Sequence, residues 1–237
     1  MSALLGVLGG MGPLATVDFL GKLIGETPAA RDAEHIPVVV YSVPQIPDRP
    51  RAILENGESP LPAMLKGIGT LKQAGATCIA IPCNTAHYWY DSLVREGGLP
   101  ILHIADAACA QFGARGIRAD TVGLIATRGT LAAGFFQERL AARGYRCIAN
   151  TPDDLDMLVQ PAIECVKRNE LAPAHRFAVR AARNLHQQGA QVIVLACTEI
   201  PLALEYETAD IGDICIDATR ALARACVAWW RQQPALL

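Results

Sequence analysis

A chain of 237 residues that is 51% hydrophobic but only 5% aromatic builds its core from Ala, Val, Ile and Leu, a composition that suits parallel strands covered on both faces by helices. The formal net charge of −2 leaves no electrostatic footprint for nucleic acid or an anionic membrane. The eight cysteines lack C-x-x-C or Cys/His ligand spacing, which disfavours zinc, and no run approaches the roughly 18 apolar residues of a membrane span. A soluble enzyme in a reducing cytoplasm is the expected setting.

In chain order, Leu4–Leu8 reads as a first strand. Gly9-Gly10, Gly12-Pro13 and Asp18 interrupt the apolar run and no basic segment precedes it, so it is not a secretion signal. A helix carrying Phe19 and Leu23 follows. Pro37–Val43 is a buried strand leading into a proline-stiffened loop, Pro44-Gln45-Ile46-Pro47-Asp48-Arg49-Pro50, at the sheet end where α/β folds bind ligands. Arg49 on that loop is a candidate ligand residue. After a helix over Leu61–Gln73, Gly75-Ala76 precedes an apolar run that reaches Cys83 eight residues after the glycine, then Asn84-Thr85 and His87. Ile104-Ala105-Asp106 closes this half.

The second half repeats the order. Thr121–Ala126 leads into Thr127-Arg128-Gly129-Thr130, and Gly6, Gly12, Leu14, Ala15, Phe19 and Leu23 all have identical counterparts at one offset of 117. A helix over Ala172–Gln188 precedes Gly189-Ala190 and Val192–Ala196, which end at Cys197, again eight residues after the glycine. Thr198-Glu199 and then Ile216-Asp217-Ala218 follow. The final helix, Ala218–Trp230, carries Trp229-Trp230, suited to packing or a subunit contact. A strand–Gly turn, strand–Cys turn and strand–Asp order that occurs twice implies two similar α/β domains with parallel sheets flanked by helices, related by a pseudo-twofold axis. The expected division is 1–100 plus about 207–237, and about 101–206.

Cysteine is among the most buried residue types, so Cys78, Cys109, Cys147, Cys165, Cys215 and Cys226 are read as inert small hydrophobes. Cys83 and Cys197 differ: each ends a strand, in equivalent places of a repeat, where a helix N-terminus favours a thiolate. Such sulfurs are expected to oxidise before the other six. Two proton carriers on opposite sides of a shared cleft can invert a carbon, one removing a proton and the other delivering one. A non-catalytic acid-binding protein would gain nothing from mirrored thiols. Lys22, Lys66, Lys72 and Lys167 lie outside the repeated turns, which argues against pyridoxal chemistry. Gly9-Gly10-Met11-Gly12 is not G-x-G-x-x-G, which disfavours a dinucleotide. His87 and His103 read as structural.

Leu8-Gly9-Gly10-Met11-Gly12-Pro13, Pro82-Cys83-Asn84-Thr85-Ala86-His87, Ala126–Thr130 and Ala196-Cys197-Thr198-Glu199-Ile200-Pro201 together resemble the aspartate/glutamate racemase superfamily over essentially the whole chain. Glu199, where glutamate racemases usually carry His, and Gly10-Met11-Gly12 point to the aspartate racemase branch. The resemblance implies an amino-acid racemase without cofactor or metal, with Cys83 and Cys197 as the acid/base pair and an acidic amino acid as substrate. It also implies that Met11, Gln45, Arg49, Asn84, Thr85, Thr127, Thr130, Lys167, Thr198 and Glu199 contact substrate, with Arg49 and Lys167 on its carboxylates. A broad-specificity amino-acid or hydantoin racemase of the same superfamily is the alternative. A homodimer without nucleic-acid or membrane partners is the expected assembly.

Overall fold

The structure, a computed structural model, describes residues 3–204 and 211–233. Its first half runs β1 (Leu5–Gly9), α1 (Pro13–Glu26), β2 (Val38–Ser42), α2 (Arg49–Leu54), α3 (Leu61–Gln73), β3 (Cys78–Ala80), a 3₁₀ turn (Thr85–Trp89), α4 (Tyr90–Gly97), β4 (Ile101–Leu102) and α5 (Ile104–Ala114). The second runs β5 (Thr121–Ala126), α6 (Arg128–Ala133), α7 (Phe135–Ala141), β6 (Arg146–Ala149) and α8 (Pro152–Asp154). A π turn (Leu155–Val159) then leads to α9 (Gln160–Lys167), α10 (Leu171–Gln187), β7 (Val192–Ala196), α11 (Glu199–Leu204), β8 (Cys215–Asp217) and α12 (Ala218–Arg231).

Two four-stranded parallel sheets result, ordered β2-β1-β3-β4 and β6-β5-β7-β8. The repeat seen in the sequence is therefore a repeat of topology. Its conserved spacing has a packing cause. A Cβ on Gly6 would lie 2.8 Å from the Ala76 Cβ, and one on Gly123 would lie 3.0 Å from the Ala190 Cβ. In each half the strand glycine makes room for the alanine that opens the next strand, so strand and preceding helix close tightly. The copies differ where Gly134, at φ 76°, splits into α6 and α7 what is one helix, α1, in the first half.

Both central strands, β1 and β5, are buried throughout, which accounts for their unbroken apolar sequences. One apolar core joins the halves: Leu5, Val7 and Phe19 meet Val122, Leu124, Phe136, Ile216 and Leu222 in it. Separate cores lie on the other sheet faces, with Met64, Ile68 and Leu71 under α3 and Ile163, Ala178 and Leu185 under α9 and α10. Among the described residues no helix is long and apolar enough to cross a membrane.

At two places the sheets divide the chain differently from the expected boundaries. β8 belongs to the second sheet, although residues 207–237 were assigned to the first domain, while α12 after it packs on α1 and α5. β4 likewise belongs to the first sheet. The chain position of the division near 207 lies outside the described residues. Nor are Asp106 and Asp217 equivalent. Asp217 caps α12 by accepting from Thr219 N and Arg220 N, and the residue that caps α5 in the matching place is His103, accepting from Ala105 N.

Candidate active site

Both strand-end cysteines open onto one cleft between the halves. Met11, Asp48, Arg49, Pro50, Cys83, Asn84 and Thr85 line it from the first half, and Thr127, Ile163, Lys167, Cys197, Thr198 and Glu199 from the second. Cys197 follows β7 directly. Cys83 comes three residues after β3, because Pro82 has no N–H to continue a ladder and Cys83 N turns back to the Ile81 carbonyl at 2.8 Å. The cleft holds only about 40 Å³. That is well below the roughly 300 Å³ and more of pockets for drug-sized ligands, so the cleft in this conformation is narrow.

Arg49 stands at the first position of α2, not in a loop. Asp48, the cap accepting from Arg51 N at 2.8 Å, together with Pro50 in the first turn, starts the helix there. Its Nη1 donates to the Ile46 and Pro47 carbonyls, both at 3.1 Å, and Nη2 donates to the Met11 carbonyl at 3.2 Å. The remaining donors are Nε–H, buried and without a partner among the described residues, and the second Nη2 proton. These two adjoin in the guanidinium fork, the geometry that grips a carboxylate in two places. Asn84 is 2% exposed, and neither its amide nitrogen nor its oxygen has a partner among the described residues.

The threonines divide. Thr85, Thr127 and Thr130 form a hydroxyl triangle across the halves, at 2.8 Å (Thr85–Thr130), 3.1 Å (Thr85–Thr127) and 3.0 Å (Thr127–Thr130). The Thr127 hydroxyl also caps α6 by accepting from Thr130 N at 3.1 Å. Thr130, expected to contact substrate, does not line the cleft, and its N–H is taken by this cap. Gln45 is exposed and also absent from the cleft lining. Lys167, the last residue of α9, reaches the cleft despite standing at an open helix end.

The expected thiolate at each helix start is not what the second site favours. Burial first, and then the Glu199 carboxylate beside it, push the Cys197 thiol well above its ordinary range. The Cys197 thiol donates to Glu199 Oε2 at 3.2 Å, and the Thr198 hydroxyl donates to the same oxygen at 3.0 Å. Glu199 was expected to meet substrate; its observed partner is the sulfur. Their exposure runs against the expected order of oxidation: Cys83 and Cys197 are 5% and 3% exposed, while Cys147 and Cys215 are half-buried.

Sequence reasoning missed the cleft roles of Asp48, Pro50 and Ile163. The cap signal of Asp48 with a proline two residues on was legible; that Ile163 points inward was not. A larger concavity of about 520 Å³ lies among α5, β8, α11 and α12 but contains none of the predicted site residues. Arg115 there donates to the Asp213 and Cys215 carbonyls, and Arg220 and Arg224 pair with Glu26. We place the chemistry at the smaller cleft because the thiols and unpaired donors are there. Among the described residues no Cys/His/Asp/Glu group could hold a metal ion.

Comparison with known proteins gives the family and the fold. A family model described as Asp/Glu/Hydantoin racemase matches residues 8–226. A broad specificity amino-acid racemase, RacX, of Bacillus subtilis is 28% identical over 94% of this chain and 96% of its own. The structure of Picrophilus torridus aspartate racemase superposes with a TM-score of 0.85 at 32% identity, covering 98% of this chain and 96% of that one. Glutamate racemase of Francisella tularensis, solved with D-glutamate, shares the fold at a TM-score of 0.70 and 15% identity, covering 98% and 81%.

Proposed function

Because the chain belongs to the Asp/Glu/hydantoin racemase family, we propose that its cleft interconverts the enantiomers of an acidic amino acid, aspartate or the longer glutamate, with Cys83 and Cys197 as the two proton carriers and no cofactor. The observation that carries this reading is the convergence of unpaired buried donors on the cleft the two thiols share. A buried polar group without a partner costs about 1–3 kcal/mol, so Arg49 Nε–H and the Asn84 amide are kept for a ligand. The Arg49 fork suits the side-chain carboxylate, with Lys167 adding a second positive charge. Asn84 and the backbone around Thr198 suit the α-carboxylate and the charge that builds as the α-proton leaves. One sulfur then removes that proton while the other delivers one to the opposite face.

The similarity to RacX favours a second reading, racemisation of a broad set of amino acids. A chiral assay of both enantiomers of Asp, Glu and neutral amino acids, without added cofactor, separates the two. The expected result is turnover of acidic substrates, lost in Cys83→Ser and in Cys197→Ser. Arg49→Ala should lower kcat/KM for them by about 2–4 kcal/mol, with a smaller loss for any neutral substrate. Equal losses for acidic and neutral substrates would assign Arg49 to the fold or the α-carboxylate and favour the broad reading. Substantial racemisation by either serine variant would overturn the two-thiol assignment.

A further inference from the structure

Each cation of the cleft has an apolar side chain as its neighbour. Arg49 donates to the Met11 carbonyl, which keeps it beside Met11 on the first half. On the second half Lys167 stands four residues after Ile163 in α9, so the two share a helix face, and both line the cleft. Ile163 is 2% exposed and Lys167 is exposed, so the isoleucine lies deeper. We propose that Ile163 gauges the length of the substrate side chain, admitting the single methylene of aspartate and rejecting the second methylene of glutamate. This rests on the racemase reading above and narrows its acidic substrate to aspartate.

A gauge needs two fixed ends. At one end the α-carbon must sit between the two sulfurs to be inverted. At the other, the Arg49 guanidinium is held by the Ile46, Pro47 and Met11 carbonyls, so its free edge cannot move outward to follow a longer acid. The span from reacting carbon to guanidinium is therefore set by the protein. A side chain one methylene longer than that span has to buckle sideways, against a wall. The cleft holds only about 40 Å³, so the extra carbon must displace that wall and cannot fill spare room.

The two apolar walls differ in stiffness. Met11 is unbranched, with three rotatable side-chain bonds, and gives way easily. Ile163 is β-branched, and within a helix such a side chain has one strongly preferred χ1 rotamer. It also belongs to the core under α9 and α10, with Ala178, Leu185 and Ile193. A close-packed core leaves it nowhere to retreat. The rigid wall is thus Ile163, one helical turn below the Lys167 ammonium that completes the grip on the distal carboxylate.

The test measures kcat/KM for aspartate and glutamate in the wild type, Ile163→Val, Ile163→Ala and Ile193→Val. Ile163→Val removes one methylene from the wall, the same unit by which glutamate exceeds aspartate. The wild type should favour aspartate by about 10-fold or more, the discrimination one methylene gives in an apolar pocket. Ile163→Val should raise the glutamate-to-aspartate ratio by about 10-fold, and Ile163→Ala by at least as much. Ile193, fully buried on β7 in the same core and outside the cleft lining, controls for lost packing, and Ile193→Val should keep the wild-type ratio. A wild type that turns over both acids alike overturns the proposal. So does an Ile163→Val protein that loses activity toward both by the same factor, the result expected of a residue that only fills the core. Should Ile163→Ala not fold, Ile163→Val decides. Calorimetric binding of L-Asp and L-Glu to the same proteins gives the ratio without turnover. If no amino acid is racemised, the proposed function fails, and the binding ratio still decides whether Ile163 gauges length.

Discussion

At His87, Nε2 accepts from Ile104 N at 3.3 Å, which requires a lone pair there and fixes the proton on Nδ1, donated to the Cys83 carbonyl at 2.9 Å. One neutral ring thus holds the backbone of Cys83 and ties it to the start of α5. Burial pushes its pKa from 6.5 down to about 4, and burial together with His87 lowers that of the neighbouring His103, whose ring lies 4.8 Å away. The sign follows from the unfolded chain binding a proton that the folded one refuses. Stability from the neutral ring is fully present above pH 6.5 and is lost as pH falls toward about 4. Urea unfolding should therefore show roughly 2–4 kcal/mol of acid destabilisation in that window from His87. His87→Asn, which bonds but does not titrate there, should show a shallower slope; an unchanged slope would rule out this origin.

Among the elements, β1 and α1 show how small residues set the spacing. A Cβ on Gly6 would lie 2.8 Å from the Ala76 Cβ and 3.3 Å from the Leu71 Cβ, so a methyl at Gly6 has nowhere to go. Gly6→Ala should destabilise by about 1–3 kcal/mol through overpacking of β1 against β3 and α3. Gly21, on the exposed side of α1, meets nothing within 4 Å. Gly21→Ala should instead stabilise by about 0.5–1 kcal/mol through helix propensity. Urea midpoints of the two variants should move in opposite directions, and a stabilised Gly6→Ala would contradict the packing explanation of the repeat. Short helices follow the same local logic: α2 and α6 each start on a capped residue, and those starts place Arg49 and Thr127 at the cleft.

For the whole molecule, the two sheets are joined not only by the shared apolar core but by Lys22 of α1. Its ammonium lies 2.6 Å from Asp18 Oδ2 and 2.7 Å from Asp217 Oδ2, with the lysine side chain 4% exposed. Asp217 ends β8 of the second sheet and caps α12, so the ion triad pins the first half to the second near the same helices that share the core. Lys22→Ala would leave the Asp18 and half-buried Asp217 carboxylates facing each other without their shared cation and should cost up to about 3 kcal/mol. Equilibrium unfolding in urea checks this, and a loss below about 1 kcal/mol would mean the triad behaves as a surface ion pair.

The amino-acid sequence by itself determined the α/β class, the duplicated strand–turn order, the bounds of α3 and β7, and the two cysteines as the pair to watch. Those features are local: unbroken apolar runs, glycine–alanine steps, and a motif read twice at nearly constant spacing. Tertiary structure alone decided that Arg49 is caged by three carbonyls with its Nε–H left over, and that Gln45 and Thr130 stay out of the cleft. It also set β8 in the second sheet, and turned Lys22 from an ordinary lysine into a buried tie. Glu199 is the sharpest case. Its place two residues after Cys197 was plain, but whether its carboxylate faced substrate or sulfur depended on how α11 begins after β7. The physical reason is common to all of these. Periodicity and spacing fix what a residue does to its own element, whereas the partner of a long polar side chain is set by elements far away in sequence.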